Sequence, residues 1–116
     1  MSTEACIVYC TCPDGEVAGR IARGLVGAGL AACVNVVPAV RSVYRWRGAV
    51  EEADEVLLLI KSTRPALQGL QEAVLRLHPY ELPELVAVPI ATGLPAYLAW
   101  IEESVPGPDQ GAAPSS

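Results

Sequence analysis

The segment from Val40 to Lys61 constrains this chain more than any other part of it. Arg41, Val43 and Arg45 alternate with Ser42, Tyr44 and Trp46, the period of two that a strand imposes on its two faces. Arg47-Gly48 supplies a tight turn, because glycine adopts the positive φ that hairpin turns need. The chain then returns through Glu51, Glu52, Asp54 and Glu55 into the apolar run Val56 to Ile60 and Lys61. A long antiparallel hairpin is the reading that fits. It sets three arginines against four acids, so cross-strand charge pairing is expected of both groups.

The flanks are punctuated in a consistent order. Thr3 to Cys12 is rich in strand-favouring residues and stops at Pro13-Asp14-Gly15, a strand followed by a turn. Asp14 can cap a helix whose apolar positions Val17, Ile21, Leu25 and Ala28 recur at helical spacing, ending near Gly29. Ala31 to Pro38 is again strand-like, with a break or bulge at Pro38, since proline cannot donate to a ladder. After the hairpin, Ser62 or Thr63 can cap a second helix with Pro65 in its first turn. Leu67, Leu70, Val74 and Leu77 form its apolar stripe, and His78-Pro79 ends it. Pro83 to Ile90 predicts a further strand, at an edge or bulged because of Pro89. A short helix follows around Tyr97 to Glu103, with Leu98 and Ile101 facing inward.

The order is β-α-β, long hairpin, β-α-β, with a terminal helix. This is the α+β class, a ferredoxin-like split βαβ sandwich with helices on one face of an antiparallel sheet. Residues 1–105 make one domain, and the apolar-poor tail 106–116 is expected to be disordered. The other face of such a sheet needs cover. The composition sharpens this point, since 52% of residues are hydrophobic and only 18% charged, against a usual charged share of about 25%. A partner subunit is the expected cover.

The same numbers exclude several functions. A net charge of −5 gives no footprint for a phosphate backbone, so nucleic acid is not expected as a partner. No apolar stretch approaches the ~18 residues of a membrane span, and the first residues lack the basic region of a signal peptide. A cytoplasmic location with reduced thiols follows as the expectation. One histidine rules out multi-histidine zinc sites within one chain, and the nucleotide-binding and nucleophile-elbow motifs are missing. No catalytic residue and no organic cofactor are expected.

Chemistry therefore rests on the cysteines and a few polar residues. Cys6, Cys10 and Cys12 fall on one face of the first strand with Val8 between them. Cys10 and Cys12 set two thiols side by side, and Cys33 joins them if its strand is a neighbour. Soft thiolates with one imidazole from His78 make a copper or zinc donor set; the competing reading is that buried cysteines act as small hydrophobes. His78 stands where a helix stops, which also suits a dipole partner. Lys61, the only lysine, either snorkels or reaches a charge such as Glu84. Tyr44 and Trp46 share a face near the hairpin tip, fit for a cleft or a subunit contact.

Taken in order, these motifs resemble the CutA1 family of divalent-cation tolerance proteins. The residues carrying the resemblance are Cys10 to Asp14, Gly29 to Asn35, Tyr44 to Gly48 with Glu51-Glu52, Glu55 to Lys61, His78 to Glu81, Pro83-Glu84 and Tyr97 to Trp100. The resemblance implies a ferredoxin-like homotrimer, no established enzymatic activity and binding of copper or another divalent cation. It places Cys10 and Cys33 at positions where family cysteines go with copper, and His78 is the imidazole that would join them. Ala73 stands where some members carry a further cysteine, and Cys6 and Cys12 are departures. Tyr44, Trp46, Glu51, Lys61, Tyr80 and Glu84, with His78, are expected to line a cleft between subunits. A small anionic metabolite is the rival ligand there, in a sensor or scaffold of the PII type, by analogy of fold alone.

Overall fold

The computed structural model describes residues 3–106. Apart from Pro106, the expected tail lies outside them. Strand β1 (Ala5–Cys12) leads into helix α1 (Gly15–Gly27), then β2 (Cys33–Trp46) and β3 (Ala49–Thr63) form the long hairpin. Helix α2 (Leu67–Leu77), strand β4 (Val86–Pro89) and helix α3 (Pro95–Ser104) follow. The four strands form one antiparallel sheet in the order β2-β3-β1-β4. This is the expected split βαβ arrangement, with β3 inserted between β1 and β2.

Local chemistry explains most boundaries. Asp14 accepts a 2.9 Å hydrogen bond from the Val17 N–H and so caps α1. The helix ends one turn-residue earlier than its apolar spacing suggests. Ala28 is its exposed C-cap, Gly29 takes φ +73°, and Leu30 N–H bonds back to Leu25 O at 2.9 Å. Those contacts complete a glycine-terminated cap, which only a residue tolerant of the left-handed region closes cheaply.

The expected cap of α2 is overturned. Ser62 and Thr63 are both buried in β3, whose pairing with β1 runs on to Thr63 opposite Ala5. Ser62 Oγ donates to Leu30 O at 2.8 Å instead, and Pro65 sits in a single tight helical turn, 64–66, before α2 begins. Pairing with β1 thus holds both residues in the strand in place of a side-chain cap. Strand β4 is also shorter than expected, because its partner segment on β1 spans only Cys6 to Tyr9. Pro89 is tolerated there since β4 is an edge.

Helices α1 and α2 cover one face of the sheet. Ile21 and Leu25 from α1, Leu70 and Val74 from α2, and Val8, Leu58 and Ile60 from the strands are essentially sealed from solvent. Each such side chain is worth about 1.5–3 kcal/mol of burial. Alternation places Cys6, Cys10 and Cys12 on this same face, all buried. Helix α3 packs against β3 and β1 and buries Ile101, with Tyr97 reaching Cys33. The remainder of the second face and the hairpin leave Val43, Tyr44, Trp46, Val50, Val86 and Val88 exposed. The apolar surplus of the chain is therefore located there. A register shift between Val37 and Val40 confirms the expected irregularity at Pro38.

Candidate functional site

The end of β1 brings together three of the side chains that can hold a metal. Strand β4 pairs with β1 only as far as Tyr9, so past that point the β1 edge needs another partner. His78, the C-cap of α2, supplies it: its Nε2 lies 2.7 Å from Thr11 O. Its Nδ1 accepts from the Tyr80 N–H at 3.1 Å. An accepting Nδ1 carries no proton, so the ring proton sits on Nε2 and is donated to Thr11 O. The ligand atoms of Cys10, Cys12 and His78 all lie within 4.8 Å of one another, and all three residues are buried.

The two thiols are electronically unlike. A hydrogen bond shared with Cys12, reinforced by burial, pushes Cys10 well above the usual thiol range. The same bond lowers Cys12. A soft metal replaces protons on such a pair, and thiolate with imidazole is the donor set that suits it.

Cys33 does not join this group. It pairs with Lys61, which pairs with Ile7, so β3 stands between its strand and β1 and its side chain lies on the opposite face from Cys10. Its partners are the Lys61 ammonium at 3.8 Å and the Tyr97 hydroxyl at 3.7 Å. Lys61 also donates to Asn35 Oδ1. The expected set Cys10, Cys33 and His78 is thus divided within one chain, and Cys12 takes the place given to Cys33. Lys61 makes none of the expected approach to Glu84.

The cleft residues are likewise split. A groove of about 800 Å³ runs between the hairpin and residues 79–84, lined by Thr11, Tyr44, Trp46, Glu55, Tyr80 and Glu84 among others. Glu51 pairs with Tyr44 beside it. Lys61 stands ten residues from Glu51 along β3, about 33 Å at the usual rise per residue. The groove lining carries Glu55, Glu81 and Glu84 and no basic side chain, so within one chain it does not suit an anion. Glu55 is buried and accepts from the Tyr80 hydroxyl at 2.7 Å; burial and that bond raise the phenol. Of the hairpin arginines, Arg41 pairs with Glu52 and Asp54, while Arg47 reaches across to Glu81. Glu55 and the Thr11 carbonyl are the residues that sequence reasoning missed. Alternation puts Glu55 on the second face, which was the available signal; a backbone carbonyl leaves none.

Sheet order and helix placement together define an α+β protein of the ferredoxin-like kind. A family model, CutA1 divalent ion tolerance protein, matches residues 6–104. The chain belongs to that family. It is 52% identical over 98 residues to the divalent-cation tolerance protein CutA of Thermus thermophilus, covering 84% of this chain and 95% of that one. A CutA homolog of Xenopus laevis is 50% identical over 98 residues, covering 84% of this chain. The chain spans 65% of that relative's length, and 54% of the mouse CutA protein's. Among solved structures, the Thermus thermophilus protein superposes with a TM-score of 0.87 at 50% identity, covering 88% of this chain and 99% of that one. One from Archaeoglobus fulgidus, described as a periplasmic divalent cation tolerance protein, gives 0.84 at 36% identity, covering 88% and 99%.

Proposed function

We propose that this chain is a metal-ion-binding homo-oligomer that contributes to divalent-cation tolerance, with copper-type ions as its ligands and no catalysis. The observation that carries the reading is the buried grouping of Cys10, Cys12 and His78 at the end of β1. Two sulfurs and an imidazole as the side-chain donors fit a soft or borderline ion rather than magnesium or calcium. The exposed apolar residues Val43, Val50, Val86 and Val88 support association of copies, and a trimer is the form proposed. Four free cysteines support a reducing compartment, the cytoplasm in this proposal.

Anaerobic equilibrium dialysis of the reduced protein against Cu(I), Cu(II) and Zn(II) tests the reading. The expected result is at least one ion per chain, lost in the Cys10→Ala/Cys12→Ala variant. Equal uptake by both proteins would remove the cluster from consideration. A second reading, a metabolite site in the groove, draws support from the aromatic walls Tyr44, Trp46 and Tyr80. It requires another copy to bring Lys61 or an equivalent cation to the groove. Ligand-dependent shifts in melting temperature that survive removal of the cysteines but vanish in Lys61→Ala would favour it.

A further inference from the structure

Resting on the metal-binding reading of the β1 end, we infer that Cys10-Thr11-Cys12 is a two-coordinate, thiolate-only site for a soft ion, with His78 holding the strand edge rather than the metal. The geometry of the imidazole argues first. Both of its nitrogens are committed, Nε2 to Thr11 O at 2.7 Å and Nδ1 to the Tyr80 N–H at 3.1 Å. Recruiting Nε2 to an ion would orphan the buried Thr11 carbonyl, which costs about 1–3 kcal/mol, and recruiting Nδ1 would release the partly buried Tyr80 N–H. Thr11 is the residue between the two thiols, so the histidine bond fixes the backbone segment that presents both sulfurs.

Distance argues second. Metal–thiolate bonds run to about 2.3 Å, so one ion between two sulfurs spans about 4.6 Å. The sulfurs already lie within 4.8 Å of each other. Two sulfurs no farther apart than that can both reach one ion.

Chemistry argues third. Glu55, the nearest buried carboxylate in the sequence, belongs to the second face and is engaged by Tyr80 at 2.7 Å. With His78 and Glu55 both occupied, the two sulfurs are the side-chain donors left in the cluster, and the Thr11 carbonyl beside them already accepts from the imidazole. Zinc asks for four donors in a closed site, whereas Cu(I) is selected by soft thiolate ligands. Other thiophilic ions content with two sulfurs, such as Hg(II), share this chemistry.

The test combines competition titration with X-ray absorption on reduced full-length protein, using Cu(I) and Hg(II) in separate arms and Zn(II) as the contrast. The expected outcome is one Cu(I) or Hg(II) per chain, two sulfur neighbours, no nitrogen neighbour, and weaker zinc binding. Cys12→Ala should weaken the soft ion by about a hundredfold or more. Cys6→Ala, a buried thiol on the same strand face outside the cluster, should leave it unchanged and so controls for damage to the core. His78→Gln keeps an amide donor for Thr11 O and should weaken binding by no more than about tenfold, the low end for a residue that supports ligands from outside. A nitrogen neighbour that disappears in His78→Gln would overturn the inference while leaving the metal-binding function intact. Failure of either ion to bind, or binding indifferent to Cys12→Ala, would overturn both.

Discussion

A thiol pair and a single thiol sit on opposite faces of one sheet, and their surroundings share little beyond sulfur. Cys10 and Cys12 lie under the helices, sealed from water and close to each other. Cys33 lies on the other face, half-buried, between an ammonium and a phenol. The difference comes from alternation along the strands, which sorts residues by face before any chemistry acts. A thiol pair closed off under helices is a place to hold something; a thiol beside Lys61 and Tyr97 is open to the surroundings.

Alkylation should separate the two faces most sharply. In the reduced, folded protein, iodoacetamide is expected to modify Cys33 while Cys6, Cys10 and Cys12 are protected by on the order of a thousandfold or more, since reaching them needs opening of the core. Mass spectrometry of a time course checks this, and equal rates at Cys10 and Cys33 would erase the distinction. Next in size is Leu58→Ala, which empties the position paired with Cys10. A loss of about 2–5 kcal/mol is expected in urea denaturation. His78→Ala should cost about 1–3 kcal/mol by stranding Thr11 O and the Tyr80 N–H; a cost near zero would show that water replaces the ring. On the other face, Tyr97→Phe removes only the hydroxyl near Cys33 and is expected to change stability by no more than about 0.5 kcal/mol. A larger loss would mean that the surroundings of the open-face thiol are as tightly built as those of the buried pair.

The fold was largely legible because its signals are local. The alternation of the hairpin, the Asp14 cap and the α2 stripe each depend on a few neighbouring residues, and each recurs in the structure. The placement of Cys6, Cys10 and Cys12 on one face was legible for the same reason. What failed depended on which strands are neighbours. A split βαβ topology puts β3 between β1 and β2, and that insertion, together with the opposite-face position of Cys33, separates it from Cys10. Chemistry alone allows Lys61 either to snorkel or to reach a charge such as Glu84, and only strand length shows that it stands far from the hairpin tip. Ser62 and Thr63 carried a helix-cap signal, yet pairing with β1 held them in the strand. Side chains whose role depends on a backbone partner, as His78 does on Thr11, have no signature in residue order.

Two residues, Pro38 and Ala39, lie between the paired positions Val37 and Val40. Strand β2 takes three steps there while β3 takes two, from Leu57 to Glu55, and Ala39 adopts φ +65° to absorb the extra residue. From that point outward the even-numbered residues of β2 occupy the face that its odd-numbered residues held before. Tyr44 and Trp46 consequently look towards the groove, on the side of Cys33 and Lys61. Deleting Ala39 would restore regular counting and turn both aromatics over, exchanging them for Val43 and the arginines. The wall of the groove is set by a half-step in the pleat.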